Sequence, residues 1–312
     1  MLRHSYYEAA CMELGVPYEV IDISGAYWID LIQKSSCDLF LARPFVLNTK
    51  GKAMYDERLR ILSEELNKSV FPSVKSLWLY ESKRRGADWL KANDISQPET
   101  WVFFDQSKAL DFAENANLPV VFKTDIGSEA LGVQIVRDRS QLFELIKACF
   151  GKGYLPSRHE PRDRQWNCII FQDFIPDAKE WRVVRIGNSY FGHRKGKVGD
   201  FHSGSKIIEF DDPPHDLLDF MRNITEKGSF KSMAADVLES SDGKYYVIEL
   251  HTYFGCNEPN VMLVDNKPGR YLFDDKDGWL FEEGEFNRNA SCNLRVEYVL
   301  NCLQSNEPRV KD

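Results

Sequence analysis

Met233–His251 reads MAADVLESSDGKYYVIELH, and this stretch decides the fold. Two apolar runs, Met233–Glu239 and Tyr245–Leu250, are joined by Ser241–Asp242–Gly243, a turn signal, so the pattern predicts a pair of strands. Asp236 interrupts the first run and Glu249 the second, with His251 two residues further on. Alternate residues of a strand share a face, so Glu249 and His251 point the same way, and hairpin pairing can bring Asp236 beside them. An unpaired carboxylate among buried residues is costly. A hard cation relieves that cost, because Mg²⁺ takes a few carboxylate oxygens and keeps phosphate and water as its other ligands. On the strand pattern alone, two edge-strand carboxylates facing solvent fit equally well.

Upstream, Leu118–Val136 (LPVVFKTDIGSEALGVQIV) reads as strand, loop and strand. Lys123 ends the first strand, and Gly127, Ser128 and Gly132 sit in the loop. Glycines let a backbone close over phosphates and present N–H donors, and a lysine beside them adds a point charge. A plain hairpin also fits. Lys83 lies in a predicted helix over Trp78–Ala92, where a solvated lysine is the commoner outcome. Ile169–Gly187 (IIFQDFIPDAKEWRVVRIG) holds an apolar strand, then Gln172, Asp173 and Phe174, then a short loop and Glu180. Arg182 shares the face of Glu180 two residues on. In Ser189–Phe210, Arg194 and Lys195 end a strand, either as a pair of cations near phosphate or as a solvated charge run.

Taken in order, these segments resemble the ATP-grasp superfamily over roughly residues 76–256. Its metal signature is an Asp on one strand and Glu-x-Asn on the next; Asp236, Glu249 and His251 fill those places, with His251 standing where the family has Asn. The resemblance implies that these three hold Mg²⁺. It makes Lys83 and Lys123 phosphate contacts, and Gly127, Ser128 and Gly132 part of the flexible loop over the phosphates. It assigns the adenine edge to Gln172, Asp173 and Phe174, and the ribose hydroxyls to Glu180. Arg194, Lys195 and Arg182 become the catalytic cations. Glu129 and Ala130 depart from a Gly-richer loop.

The implied architecture is α/β: an N-terminal Rossmann-like domain over residues 1–75, then a two-lobed ATP-grasp module over 76–312. The nucleotide lobe spans about 119–178 and the catalytic lobe about 179–312. For the first domain the pattern predicts helices Ser5–Leu14, Tyr27–Lys34 and Tyr55–Leu66, with strands Tyr18–Ile23 and Leu39–Ala42. Phe71–Ser73 reads as a connector. Only Met1–His4 precede the first helix where such a domain opens with a strand, which leaves a trimmed start open. Further on, Ser140–Phe150, His215–Lys227 and Cys292–Leu303 read as helices. Thr100–Phe104 reads as a strand, and the segment after Gly255 is polar and turn-rich with no recognisable chemistry.

Composition bounds the function. The 312 residues suffice for more than one packed domain, and 43% are hydrophobic, which excludes a disordered chain. The net charge of −8 argues against a nucleic-acid partner, since neutralising a phosphate backbone needs a basic face. Seven widely spaced cysteines without CxxC fit reduced thiols in the cytoplasm. No apolar run spans a membrane and no signal peptide is visible. The expected function is Mg-ATP-dependent ligation, with a small-molecule carboxylate activated as an acyl phosphate for attack by an amine. A kinase of the same fold, or a nucleotide-binding protein without turnover, are the alternatives. Composition leaves the oligomeric state open.

Overall fold

The computed structural model describes residues 4–304, apart from 38, 44–45, 47, 128–131, 157–162, 201, 203–204, 206 and 255–259. The chain begins with helices α1 (Ser5–Glu13) and α2 (Trp28–Lys34), strand β1 (Leu39–Leu41), helix α3 (Thr49–Arg60) and a π-turn at Ile61–Glu65. Then come β2 (Ser69–Phe71), α4 (Val74–Leu79) and α5 (Lys83–Ala92). The next elements are β3 (Thr100–Phe103), α6 (Gln106–Asn115), β4 (Val120–Lys123), β5 (Val133–Val136), α7 (Arg139–Phe150) and β6 (Ile169–Asp173). The rest is β7 (Lys179–Ile186), β8 (Ser189–Lys195), β9 (Ile208–Glu209), α8 (His215–Gly228), β10 (Ser232–Glu239), β11 (Tyr245–His251), β12 (Leu263–Val264), β13 (Lys267–Asp274), β14 (Gly278–Glu283) and α9 (Arg288–Gln304).

Two antiparallel sheets form the two lobes. The smaller has the order β3-β6-β4-β5 and packs against α6 and α7 through Phe122, Ile146 and Phe171. The larger runs β11-β10-β7-β8-β13-β12, with β9 on β8 and β14 on β13. Its core face carries Val183, Ala235 and Val237, all fully buried, and α8 covers it with Leu217, Met221 and Ile224. The 3.6-residue spacing of those α8 residues makes the apolar stripe that the sheet needs. The third core joins α1, α2, α3 and β2 to Tyr253, Cys292 and Val296, so the N-terminal segment packs on the final helix and on the chain just beyond β11.

The structure departs from the sequence pattern in five places. Tyr18–Ile23 forms no strand, pairing with no other strand among the described residues, and Tyr18 and Val20 are exposed. The N-terminal sheet is instead the parallel pair β1–β2, with β2 ending on Phe71, the first residue of the stretch read as a connector. Trp78–Ala92 is two helices, because Glu81 takes a left-handed conformation (φ 57°) and Ser82 caps the second. Helix α6, unanticipated, starts at Asp105, whose carboxylate accepts from the Ser107 and Lys108 amides. The tail read as turns forms β12–β14, and β13 joins the large sheet beside Tyr190.

Phe171 has no exposed surface, and its ring stacks on Phe112 at 5.4 Å between centroids. Phe171→Ala is expected to cost about 3–5 kcal/mol by loss of burial and the cavity left behind. Urea unfolding followed by circular dichroism checks this, and a cost under about 1 kcal/mol contradicts the packing of the smaller lobe.

Candidate active site

Register places the chemistry. Across four neighbouring strands His193 (β8), Arg182 (β7), Asp236 (β10) and Glu249 (β11) stand directly opposite one another, so their side chains share a face. Two residues along, Glu180 faces Lys195 on that same surface. His251 lies opposite Ala234, whose methyl leaves room for the imidazole to lean on Asp236.

Asp236 is 1% exposed. Arg182 grips it with two bonds, Nε to Oδ1 and Nη2 to Oδ2, both 2.9 Å. Lys195 Nζ donates to Oδ2 at 2.6 Å and to Glu180 Oε1 at 2.5 Å. His251 Nε2 reaches Asp236 Oδ2 at 3.2 Å and Glu249 Oε2 at 3.5 Å. Lys83 Nζ lies 3.1 Å from Glu249 Oε1 and also donates to the Gly127 carbonyl. Lys123 Nζ donates to the Ile248 carbonyl at 3.4 Å.

The electrostatics follow from this packing. Burial opposes ionisation of Asp236, but Arg182, Lys195 and His251 overcome it and hold the carboxyl well below its usual range. Glu249 is depressed likewise, its burial outweighed by Lys83 and His251. For His251, burial disfavours the charged form, yet Glu249 and Asp236 raise its pKa to about 9. For Lys123 burial wins, and the amine falls to about 8. His193 falls to about 4, through burial and then the charge of Arg182. Its Nδ1 is 2.8 Å from the Val261 carbonyl, which fixes Nδ1–H as the donor and leaves Nε2 as an acceptor.

The smaller lobe contributes the opposite wall. A pocket between the lobes is lined by Lys83, Thr100, Lys123, Gln172 and Glu249 among others. Gln172 is buried and donates to Thr100 Oγ1 at 2.8 Å. The Asp173 amide is committed to the Glu99 carbonyl, whereas the Phe174 backbone bonds to no described residue. Gly132 needs its lack of a side chain: φ is 80°, and a Cβ would come 2.2 Å from Thr124 Oγ1. Ser128 lies outside the described residues.

Of the residues picked from sequence, Lys83, Lys123, Gln172, Glu180, Arg182, Lys195, Asp236, Glu249 and His251 converge on this cleft, Gly127 joins it through the Lys83 amine, and Gly132 packs on Thr124 just past Lys123. Arg194 does not. Strand alternation puts it on the other face, opposite Trp181, where it pairs with Glu209 at 2.7 Å and Asp211 at 2.5 Å. Sequence reasoning passed over His193, although counting back two from Lys195 assigns it to the site face.

The donor set suits a triphosphate with a divalent cation. The ligand atoms of Asp236, Glu249 and His251 lie within 4.8 Å of one another. Arg182, Lys195, Lys83 and Lys123 give four cations against the three carboxylates Asp236, Glu249 and Glu180, and protonated His251 adds a fifth at neutral pH. A buried cluster with surplus positive charge calls for an anion.

Comparison with known proteins agrees with that inference. A two-lobed antiparallel scaffold with paired acids on adjacent strands and lysines across the cleft defines the ATP-grasp class. The chain belongs to the RimK-like ATP-grasp domain family, whose model matches residues 81–258, and with it to the ATP-dependent ligases. It is 24% identical over 255 residues to a D-alanine–D-alanine ligase of Bacillus anthracis, covering 78% of this chain and 79% of that one. Its fold resembles the RimK domain protein of Sphaerobacter thermophilus, with TM-score 0.60, 15% identity and 96% of both chains covered. It also resembles the biotin carboxylase domain of a Hydrogenobacter thermophilus 2-oxoglutarate carboxylase crystallised with MgADP and bicarbonate. There the TM-score is 0.60 and the identity 13%, over 83% of this chain, and the chain spans 63% of that domain's length.

Lys123 generates a prediction of opposite signs. At pH 7 its amine is protonated in both the folded and unfolded chain, so the folded state carries the full burial cost, up to about 3 kcal/mol for a fall from 10.5 to about 8. Lys123→Met is expected to stabilise the nucleotide-free protein by about 1–3 kcal/mol and to weaken ATP binding at least tenfold. Between pH 8 and 10.5 the unfolded wild type binds the extra proton, so wild-type stability on this account rises with pH and the variant's advantage shrinks. Denaturation at pH 7 and pH 10 measures both. A variant less stable at pH 7 contradicts the burial account.

Proposed function

We propose that this protein is a Mg-ATP-dependent ligase that activates a small-molecule carboxylate as an acyl phosphate, which an amine then attacks to give an amide. The observation that supports it most is the buried positive surplus around Asp236 and Glu249, at the seam where the two lobes meet. Lys83 and Lys123 hold the phosphates, with the backbone around Gly127 and Gly132 above them. Gln172, Asp173 and Phe174 form the adenine-facing hinge; the uncommitted Phe174 backbone is the group best able to read the base edge. Glu180 accepts from the ribose hydroxyls. Asp236 and Glu249 would hold Mg²⁺, joined by His251 once its imidazole has given up its proton, and the ion would screen the charge between phosphates.

Arg182 and Lys195 are the catalytic cations. Both are anchored on Asp236, so they are oriented before any ligand arrives, and such pre-organisation lowers the cost of charge moving onto phosphate oxygens. The nucleophile comes from the substrates, so no Ser-His-Asp or Cys-His arrangement is required. The segment through residue 75 is read as a reduced Rossmann-like unit preceding the ATP-grasp module at 76–312, with the parallel β1–β2 pair and its helices in support. Free thiols at all six described cysteines fit a cytoplasmic setting. Among the described residues no helix is long and apolar enough to cross a membrane.

Glu249→Gln is expected to lower substrate-dependent ADP release at least tenfold, the scale of one lost electrostatic contact, while a thermal melt shows the fold intact. EDTA is expected to abolish ADP release in the wild type. Unchanged turnover in either case removes the metal assignment. ATP with Mg²⁺ is expected to raise the melting temperature more than GTP does; equal shifts count against the hinge.

Across a panel of carboxylates, hydroxylamine is expected to trap the acyl phosphate as a hydroxamate. Abundant ADP with a stable phosphorylated product and no hydroxamate assigns a kinase instead.

A further inference from the structure

His193 lies on the catalytic face of the large sheet, and the ATP chemistry leaves it without a role. It stands on β8 directly opposite Arg182 on β7, with Lys195 two residues along the same strand face. Strand spacing puts it about 5 Å from Arg182 and about 10 Å from Asp236 in the plane of the sheet. Its ring is fixed from one side: Nδ1–H donates to the Val261 carbonyl at 2.8 Å, and the neighbouring Gly192 amide bonds Met262 Sδ at 3.4 Å. Val261 and Met262 are both buried and belong to the chain that returns to the sheet after β11. Phe210 packs against the imidazole edge to face, with ring centroids 6.4 Å apart.

The other ring nitrogen, Nε2, is a lone-pair acceptor with no partner among the described residues. The described side-chain atoms that are both sealed from solvent and unpartnered lie on Arg43, Arg194 and Arg295, so the unpartnered Nε2 is open. The cations beside it are partly open as well: 19% of the Arg182 side chain and 11% of the Lys195 side chain are exposed. Burial, and then the charge of Arg182, keep the ring unprotonated at neutral pH. A neutral acceptor beside two cations suits a ligand that brings an N–H or O–H and no positive charge. An ionised phosphate oxygen has only lone pairs to set against Nε2, so it belongs on Arg182 and Lys195 instead.

We propose that His193 is a catalytic residue that receives the attacking amine, its Nε2 accepting one N–H so that the nitrogen lone pair points at the activated carbonyl. This rests on the ligase reading of Asp236 and Glu249. Phosphate held over Arg182 leaves the acyl carbon one P–O–C link away, and β8, one strand over, is the side with an open acceptor. On the other side Asp236 and Glu249 are committed to cations. Arg182 and Lys195 repel an ammonium ion, so the amine arrives uncharged, the form that has a lone pair to attack with. Attack forms the C–N bond and breaks the C–O bond to phosphate, which leaves with the electron pair. The surplus proton on nitrogen becomes acidic as the C–N bond forms, and it passes to Nε2 and on to the departing phosphate. The substrate class that follows is an amine with at least one N–H; a thiolate or a carboxylate offers Nε2 no hydrogen.

The test separates the two nitrogens of the imidazole. His193→Asn puts an amide N–H where Nδ1–H stood, so it keeps the Val261 bond and offers nothing at Nε2. His193→Gln puts a carbonyl oxygen where Nε2 stood and gives up the Val261 bond. Wild type and both variants are assayed with Mg-ATP and the carboxylates of the panel that support ADP release. One series contains hydroxylamine, which attacks acyl phosphates unaided, and the other contains ammonium chloride as the source of amine. The ratio of amide to hydroxamate is expected to fall about tenfold in His193→Asn, the scale of one lost hydrogen bond, and to stay within about threefold of wild type in His193→Gln. An unchanged ratio in His193→Asn, a loss in His193→Gln as large as in His193→Asn, or no amide from ammonia in the wild type each overturn the proposal. Thermal melts report folding, and if one variant does not fold the other decides by the same thresholds. The ligase reading fails in a different way: wild type then gives no hydroxamate with any carboxylate, whatever the variants do.

Discussion

Asp236 is the constraint around which the catalytic sheet is organised. A carboxylate with 1% exposure in the middle of a sheet is tolerated because three cationic groups from three other strands converge on it: Arg182 from β7, Lys195 from β8 and His251 from β11. Buried ion pairs of this kind contribute little net stability, since desolvation offsets most of the Coulomb gain. Their consequence is geometric. A one-residue slip of β7 against β10 would turn Arg182 to the α8 face and leave Asp236 without its bidentate partner, so the pairing discriminates against wrong registers.

The same logic explains the break between α4 and α5. An uninterrupted helix over Trp78–Ala92 satisfies local propensity, and neither Gly nor Pro falls at the break. Ser82 instead donates to Asp125 Oδ1 at 2.8 Å, and that carboxylate also accepts from the Arg84 amide at 3.0 Å. The α5 start is thereby tied to the end of β4, and Lys83 is aimed at Glu249 with only 6% of its side chain exposed. The cost is a left-handed Glu81, on the order of 1–2 kcal/mol. Strain of this size is tolerable where it holds a charged group in a cleft.

What was legible in the sequence depended on range. Asp236, Glu249 and His251 could be placed together because a strand alternates with period two and a short turn dictates antiparallel pairing. The same alternation separates Lys195 from Arg194, and it finds His193, but only if it is applied to every residue of the strand. Helix α6 also carried a local signal in Asp105 that went unread. Other features have no local signature. Tyr18–Ile23 alternates like a strand but has no ladder partner among the described residues, and β2 is three residues long beside a proline. The β12–β14 hairpin is polar on its outer face and becomes sheet through Tyr271 and Trp279, which pack around Tyr190 and Asp219 from distant parts of the chain. Propensity is a weak guide where tertiary pairing decides.

Strands β10 and β11 connect two chemically different regions. At Asp236 and Glu249 the carboxylates are matched by lysines, Lys195 and Lys83, whose ammonium groups are compact point charges on unbranched stems. At Ser232 and Tyr253, at the other end of the same pair, the charges are arginines held by a hydroxyl, a carbonyl and an aromatic ring. Lysine's flexible point charge suits a partner that changes during a reaction, and arginine's rigid fork suits one that stays put. Three consecutive left-handed residues, Asn289–Ser291, lead into the α9 turn bearing Cys292 and Arg295 and direct the Ala290 carbonyl onto the guanidinium. The final helix is thus set by the need to bury a cation beside the catalytic strand, and the N-terminal segment, packed on that helix through Tyr7 and Cys11, is held to the same position.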